Sequence, residues 1–290
     1  MRFFGKSLLA ILLAALIAGA LTYPAWLLAS HFGEVRADRV MRRVGMIVLA
    51  IALVVVLRRA GLANRATLGY ALPRRDFLRQ MGKGFAAGLL LMLPLVWGLF
   101  GFDLRTGNAE LTSVVLSKFL LQGVLTGFAV AFVEETFLRG AMFGVIQRES
   151  GTALAVALPS LLYAAVHFLG GHLRIAANEM DFMGGLRIAA DVFTNFTTPL
   201  EFVDSFFALL ALGVLLTLIR LRTGAIAGGI GLHAGGVCVI TMMRNLSAVN
   251  PEARLSFLVG SYDGVIGWMA FVWIGIVTFA YWKLTAKRPR

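Results

Sequence analysis

The chain has 290 residues, of which 59% are hydrophobic and only 14% charged, and its mean hydropathy is +0.83. No water-soluble domain of this size hides so much apolar surface, so a soluble enzyme is excluded and a polytopic membrane protein is expected. The 27 Lys and Arg outweigh the 15 Asp and Glu to give a formal +12, but they are scattered over loops instead of gathered on one face. That distribution argues against nucleic acid as a partner.

A spanning helix needs about 20 mostly apolar residues, and eight stretches approach that template: 7–29, 44–57, 85–102, 114–133, 153–169, 206–221, 225–243 and 265–282. The expected fold is all-α, a polytopic membrane helix bundle with about eight transmembrane helices. Residues 1–110 would hold the N-terminal helices, 111–250 a core with the unusual polar residues, and 251–290 a C-terminal helix and basic tail, joined in one integrated domain. Ala18-Gly19-Ala20 resembles a signal-peptidase site, but the apolar run continues to Ala29, so a retained first helix is expected. With both termini cytoplasmic, Arg58, Arg59, Arg65, Arg74, Arg75, Arg79 and Lys83 share one inside loop, and Lys283, Lys287, Arg288 and Arg290 form the inside tail. Arg36, Arg39, Arg42 and Arg43 fall outside and run against this pattern.

Pro24 and Pro94 fall within apolar spans, where proline kinks a helix. The segment 170–205 mixes Phe182, Met183, Leu186 and Ile188 with acidic residues, and reads equally as an interfacial amphipathic helix or as an ordinary surface connection. Cys238 is the only cysteine, which excludes an internal disulfide and a cysteine-rich zinc site; it reads as a small buried hydrophobe.

The polar residues inside apolar spans carry the chemistry, because ionisable groups at membrane depth are costly and mark function by default. In Val133-Glu134-Glu135-Thr136-Phe137-Leu138-Arg139-Gly140, Glu135 and Arg139 are four apart and face each other on a helix. Glu134 projects about 100° away from Glu135, leaving its carboxylate for another task. The next span ends on His167, with Tyr163 one turn before it, and a later one carries His233 after the glycine-rich run 224–231. Those glycines let helices approach closely. His31 and His172 fall near span ends and are assigned no role.

A carboxylate and a histidine sharing one water can remove its proton and direct it at a carbonyl carbon, while a second histidine holds the oxyanion. The same three residues, Glu134, His167 and His233, are also a ligand set for a zinc ion with an open water position. Both chemistries hydrolyse amides. No His-Glu-x-x-His run and no Gly-x-Ser-x-Gly elbow occurs, so the usual soluble zinc-protease and serine-hydrolase signatures are absent.

In order and spacing these residues resemble the CAAX protease and bacteriocin-processing family, which includes type II CAAX prenyl endopeptidases and abortive-infection-like membrane proteases. Glu134, Glu135 and Arg139 match its Glu-Glu-x-x-x-Arg motif, and His167 matches Phe-x-x-x-His with Tyr163 in place of phenylalanine. His233 opens the His-x-x-x-Asn/Asp motif, but Val237 stands where the amide or acid is expected. The resemblance covers about residues 115–245 and makes 111–250 a protease core. It implies a membrane endopeptidase, glutamate-type or zinc-dependent, in which Glu134 and His167 activate water, Glu135 and Arg139 position the site, and His233 stabilises the oxyanion. No cofactor is the expected state, with zinc as the alternative. The Val237 side chain has no hydrogen to donate, so the chain has either lost part of the help to the oxyanion, with reduced activity, or draws it from elsewhere, for instance Asn245 or a backbone amide. The implied partners are a membrane-associated protein or peptide substrate and the lipid bilayer. Arginine-rich composition and a compact chain point to a bacterial cytoplasmic membrane. The rival reading, motivated by Val237, is a non-catalytic immunity, scaffold or transport protein that uses the same residues as a buried polar network.

Overall fold

The computed structural model describes residues 2–108 and 111–286; Lys287, Arg288 and Arg290 of the expected basic tail lie outside the described residues. The helices are α1 (Arg2–Ser30), α2 (Ala37–Arg59), α3 (Arg74–Gly101), α4 (Ser113–Glu135), α5 (Phe143–Ser150), α6 (Thr152–Val166), α7 (Phe182–Asp191), α8 (Val203–Thr223), α9 (Ala227–Leu246) and α10 (Trp268–Ala286). A π-helical turn, Thr136–Met142, joins α4 to α5 without a break. Two short antiparallel strands, β1 (Arg105–Gly107) and β2 (Ser247–Val249), pair outside the helices.

The all-α expectation holds, and each of the eight apolar stretches is a helix. Six are long and apolar enough to cross a bilayer: α1, α2, α3, the continuous 113–150 segment, α8 and α10. The other two are α6, apolar but only 15 residues long, and α9, whose 20 residues are diluted by glycine and His233. The protein is therefore an integral membrane protein. Pro24, Pro94 and Pro159 all lie inside helices.

The chain divides into two compact units. The smaller comprises residues 1–63 and 165–199 and is built from α1, α2 and α7. Its core gathers Ala18, Met41, Ile188 and Ala189 with Tyr23 and Trp26 packed on them. A Cβ at Gly19 would stand 2.6 Å from that of Ala189, and one at Gly185 would stand 2.5 Å from the Gly19 carbonyl. The ambiguous 170–205 segment thus includes a helix packed closely on α1.

The larger unit, residues 64–164 and 200–290, is organised around α9. Helix α3 lies on one side of it through Gly84, Gly88, Gly231 and Gly235, and α4 on another through Gly123 and Gly127. At Gly235 an added Cβ would be 2.5 Å from the Phe85 carbonyl, and at Gly127 2.5 Å from the Ala234 carbonyl. Those distances are impossible for real carbon, so only glycine permits this approach. Backbone-to-backbone packing of this kind is how helices associate where burial in lipid gives no hydrophobic reward. Cys238 is buried, against Gly123, in the packing role expected for it.

The ends of this unit are pinned by polar groups. Buried Arg105 donates to Ser247 Oγ (2.8 Å), the Gly264 carbonyl (2.8 Å), the Met243 carbonyl (3.1 Å) and the Ser247 carbonyl (2.6 Å). Helix α8 ends at Gly224, left-handed with φ 69°, a conformation glycine adopts without strain.

The seam makes a direct prediction. Gly127→Leu forces α4 from α9 and lowers the unfolding temperature in detergent by several degrees, whereas Gly236→Ala, with nothing within 4 Å of its added carbon, leaves it unchanged. Circular dichroism melts of the two variants check this.

Candidate functional site

The site is built where α4 gives way to the π turn. Glu135 is the last α-helical residue, and Arg139 lies in the middle of the wider turn. Their side chains form an ion pair at 2.9 Å with both partners 0% exposed, as the four-residue spacing predicts. Such a pair persists in a dry interior only if the remaining hydrogens are satisfied. Arg139 meets that demand from α8: Nη2 donates to the Gly213 carbonyl at 3.0 Å, and Nε to Thr217 Oγ1 at 3.3 Å. Thr217 in turn donates to the Gly213 carbonyl at 2.8 Å and stands 3.4 Å from Ser160 Oγ of α6. The guanidinium also lies over the Tyr163 ring, 4.7 Å from its centroid, a favourable place for a buried cation.

The π turn has a use of its own. The Phe143 amide bonds to the Leu138 carbonyl, not to that of Arg139 as an α-helix would require. The Arg139 carbonyl instead accepts from Arg220 Nε at 3.0 Å, so the irregular turn ties α8 to the site through the backbone. Interruptions of this type concentrate at functional sites. On the opposite side, the Tyr70 hydroxyl is 2.6 Å from Thr136 Oγ1.

His233 comes from the glycine-rich face of α9. It is 2% exposed, and its Nδ1 is 3.1 Å from Glu135 Oε1. A carboxylate paired with arginine only accepts, so Nδ1 carries the proton and donates it to Glu135. The other ring nitrogen, Nε2, is 3.8 Å from Glu134 Oε2. The neighbouring glutamates therefore reach one imidazole from two directions, Glu135 at Nδ1 and Glu134 at Nε2. Their environments differ sharply: Glu135 is fully buried, while the Glu134 side chain is 27% exposed. Glu134 Oε2 is nevertheless a buried atom without a hydrogen-bond partner among the described residues, and so is Glu135 Oε2. The Tyr163 ring stands edge-on to His233, 5.6 Å between centroids.

The larger unit thus brings together Glu134, Glu135, Arg139 and His233. His167 belongs to the smaller unit, in the turn that follows α6, and is partly buried; the adjoining Phe168 carbonyl accepts from Asn195 Nδ2 at 3.1 Å. Thr217, Ser160 and Gly213 escaped the sequence reading. The first two carried a visible signal as small polar residues in otherwise apolar helices, but nothing in their spacing tied them to Arg139. Among the described residues no group of three His, Cys, Asp or Glu side chains is arranged to hold a metal ion.

The family model for type II CAAX prenyl endopeptidase Rce1-like proteins matches residues 116–239. Neither a curated protein nor a solved structure matches the chain. The matched segment opens one turn into α4, closes within α9, and holds all the residues just described from Glu134 to His233. Over this segment the chain is similar to the Rce1-like type II CAAX prenyl endopeptidases.

Proposed function

We propose that this protein is a membrane-embedded endopeptidase that hydrolyses a peptide bond of a membrane-associated protein or peptide, in or near the bilayer, with Glu134 as the base that activates water. The single observation that carries the reading is the pairing of two unlike glutamates on one histidine inside a family-matched segment. Glu135, dry and neutralised by Arg139, cannot reach a substrate and serves to hold the His233 ring. Glu134, partly open and with an unpaired oxygen, is the group available for chemistry.

The 3.8 Å gap between Glu134 Oε2 and His233 Nε2 separates two acceptors. Two acceptors do not bond to each other, but one water donates a hydrogen to each. A water held this way has its lone pairs turned outward, toward an approaching carbonyl carbon. Attack forms the new carbon–oxygen bond as Glu134 takes one proton; collapse breaks the carbon–nitrogen bond as that proton passes to the departing amine. From the family motif alone, His167 keeps the water-activating role that the resemblance implies. By the same resemblance His233 takes the part of stabilising the oxyanion, a role that rests on the motif alone. The reading uses no cofactor, and it sets the enzyme in a bacterial cytoplasmic membrane on composition alone.

Two outcomes test these assignments. Glu134→Gln lowers kcat by about 10²–10⁴-fold, the usual contribution of a general base, while the unfolding temperature stays at the wild-type value; cleavage of a membrane-peptide library by the detergent-purified proteins measures it. Equal rates for the two proteins would falsify the assignment. Arg139→Leu strands the Glu135 carboxylate in a dry interior and costs about 3–5 kcal/mol of stability. Its signature is a depressed melting temperature as well as lost cleavage, which separates a positioning residue from Glu134.

A further inference from the structure

Two arginines at the end of α8 face no acid. Arg220 and Arg222 stand in its last turn, and with Phe143 and Gln147 of α5, Thr223 and Gly224 they line a cavity of about 360 Å³, within the size range of small-molecule sites. No carboxylate lines it, and every lining residue belongs to the larger unit.

Arg220 spends its hydrogens on carbonyls: Nε on that of Arg139 at 3.0 Å, Nη1 on that of Gly224 and Nη2 on that of Thr67 at 3.5 Å. These dipoles fix the guanidinium in place and leave its unit charge unmatched. Arg222 is half-buried, and its Nε is a buried atom without a hydrogen-bond partner among the described residues. Neither arginine forms an ion pair among those residues. A partly dry cation without a counter-charge is costly to hold, and the planar fork of arginine matches the oxygens of a phosphate group.

The cavity lies at the level of lipid headgroups. The apolar segment 113–150 ends just beyond Gln147, and α8 ends at Thr223, so two helices of membrane-crossing length leave the bilayer there. The segment 64–73, ahead of α3, closes over the same end: a Cβ at Gly69 would stand 3.1 Å from Arg220 Cζ, and the Gly69 carbonyl accepts from the Ile226 amide at 3.2 Å. That segment carries Arg65 and leads into Arg74 and Arg75, part of the basic stretch that the charge distribution assigns to the cytoplasmic side, where membrane lipids are anionic.

We propose that this cavity binds a phosphate group, held by Arg222 with Arg220 beside it, and that its position makes the headgroup of an anionic phospholipid in the cytoplasmic leaflet the source. Free phosphate presents the same oxygens and is told apart by titration. The site does not depend on the endopeptidase reading. Because Arg220 also holds the Arg139 carbonyl, a bound phosphate rests against the arginine that fastens the π turn, and binding to the folded form alone stabilises it by mass action.

Melting temperature against added ligand, with the full-length protein in detergent, tests the site. Phosphatidylglycerol titrated into the micelles raises the melting temperature of the wild type saturably; phosphatidylcholine, whose choline cation cancels its phosphate charge, does so far less. Arg222→Gln weakens the apparent affinity for phosphatidylglycerol by about tenfold or more, the loss of a charge-assisted hydrogen bond. Arg222→Lys, which keeps the charge without the fork, weakens it several-fold, and Arg75→Gln, at an exposed arginine on the same side, leaves it at the wild-type value. Inorganic phosphate is titrated in parallel against chloride at equal ionic strength. A saturable shift with inorganic phosphate that Arg222→Gln removes, with none from the lipid, keeps the site and overturns the lipid as its source. No saturable shift with either ligand overturns the whole proposal, as do equal shifts from the two lipids, or an Arg75→Gln loss as large as that of Arg222→Gln, the mark of diffuse attraction. Should Arg222→Gln lose its cooperative melt, Arg222→Lys decides, and wild-type affinity there overturns the assignment of Arg222.

Discussion

The rest of the larger unit depends on one constraint: Glu135 and Arg139 are charged, paired and wholly dry. Each charge alone would cost several kcal/mol to bury, and their attraction offsets that cost only with good geometry and no hydrogen left over. The arrangement of four helices follows from that demand. Helix α8 supplies the Gly213 carbonyl and Thr217, α6 supplies Ser160 and the Tyr163 face, and α9 supplies His233. Any one of them drawn back would leave part of the guanidinium or carboxylate bare.

Glycine makes that convergence physically available. At Gly229 an added Cβ would sit 3.2 Å from Glu135 Oε2, so the same run of small residues that seats α3 and α4 against α9 also leaves room for the carboxylate. Packing and chemistry share a surface here. A larger residue at Gly127 pushes out the helix that carries both glutamates, while one at Gly231 pushes α3 off the helix that carries His233.

The two glutamates show how one residue type takes two jobs through environment alone. Sequence makes them neighbours, and the helix turns them 100° apart. The imidazole between them is reached from both sides, at Nδ1 by the buried one and at Nε2 by the partly open one. Fixing Nδ1 as a donor decides what Nε2 can do, so in the proposed function the buried glutamate sets the terms on which the partly open one meets water. That division of labour suits a hydrolase that must work beside lipid, where a carboxylate at large would be neutralised or would drag water in.

Composition alone determined that the chain is an all-helical membrane protein, since 59% hydrophobic residues admit no other solvent. Periodicity found the apolar helices, because a spanning segment must satisfy its own backbone hydrogen bonds and so advertises itself as an unbroken apolar run. The Glu135–Arg139 pair was also legible, being a four-residue interaction within one stretch of helix. What only the tertiary structure decided are the long-range matters: that both glutamates meet His233, that Thr217 and Gly213 complete Arg139, and that a π turn hands the Arg139 carbonyl to Arg220. It also decided that the Asn245 amide is spent on the Thr241 carbonyl of its own helix. Those facts depend on which helices come together and how closely, a sum of many weak packing terms that no local pattern of residues records.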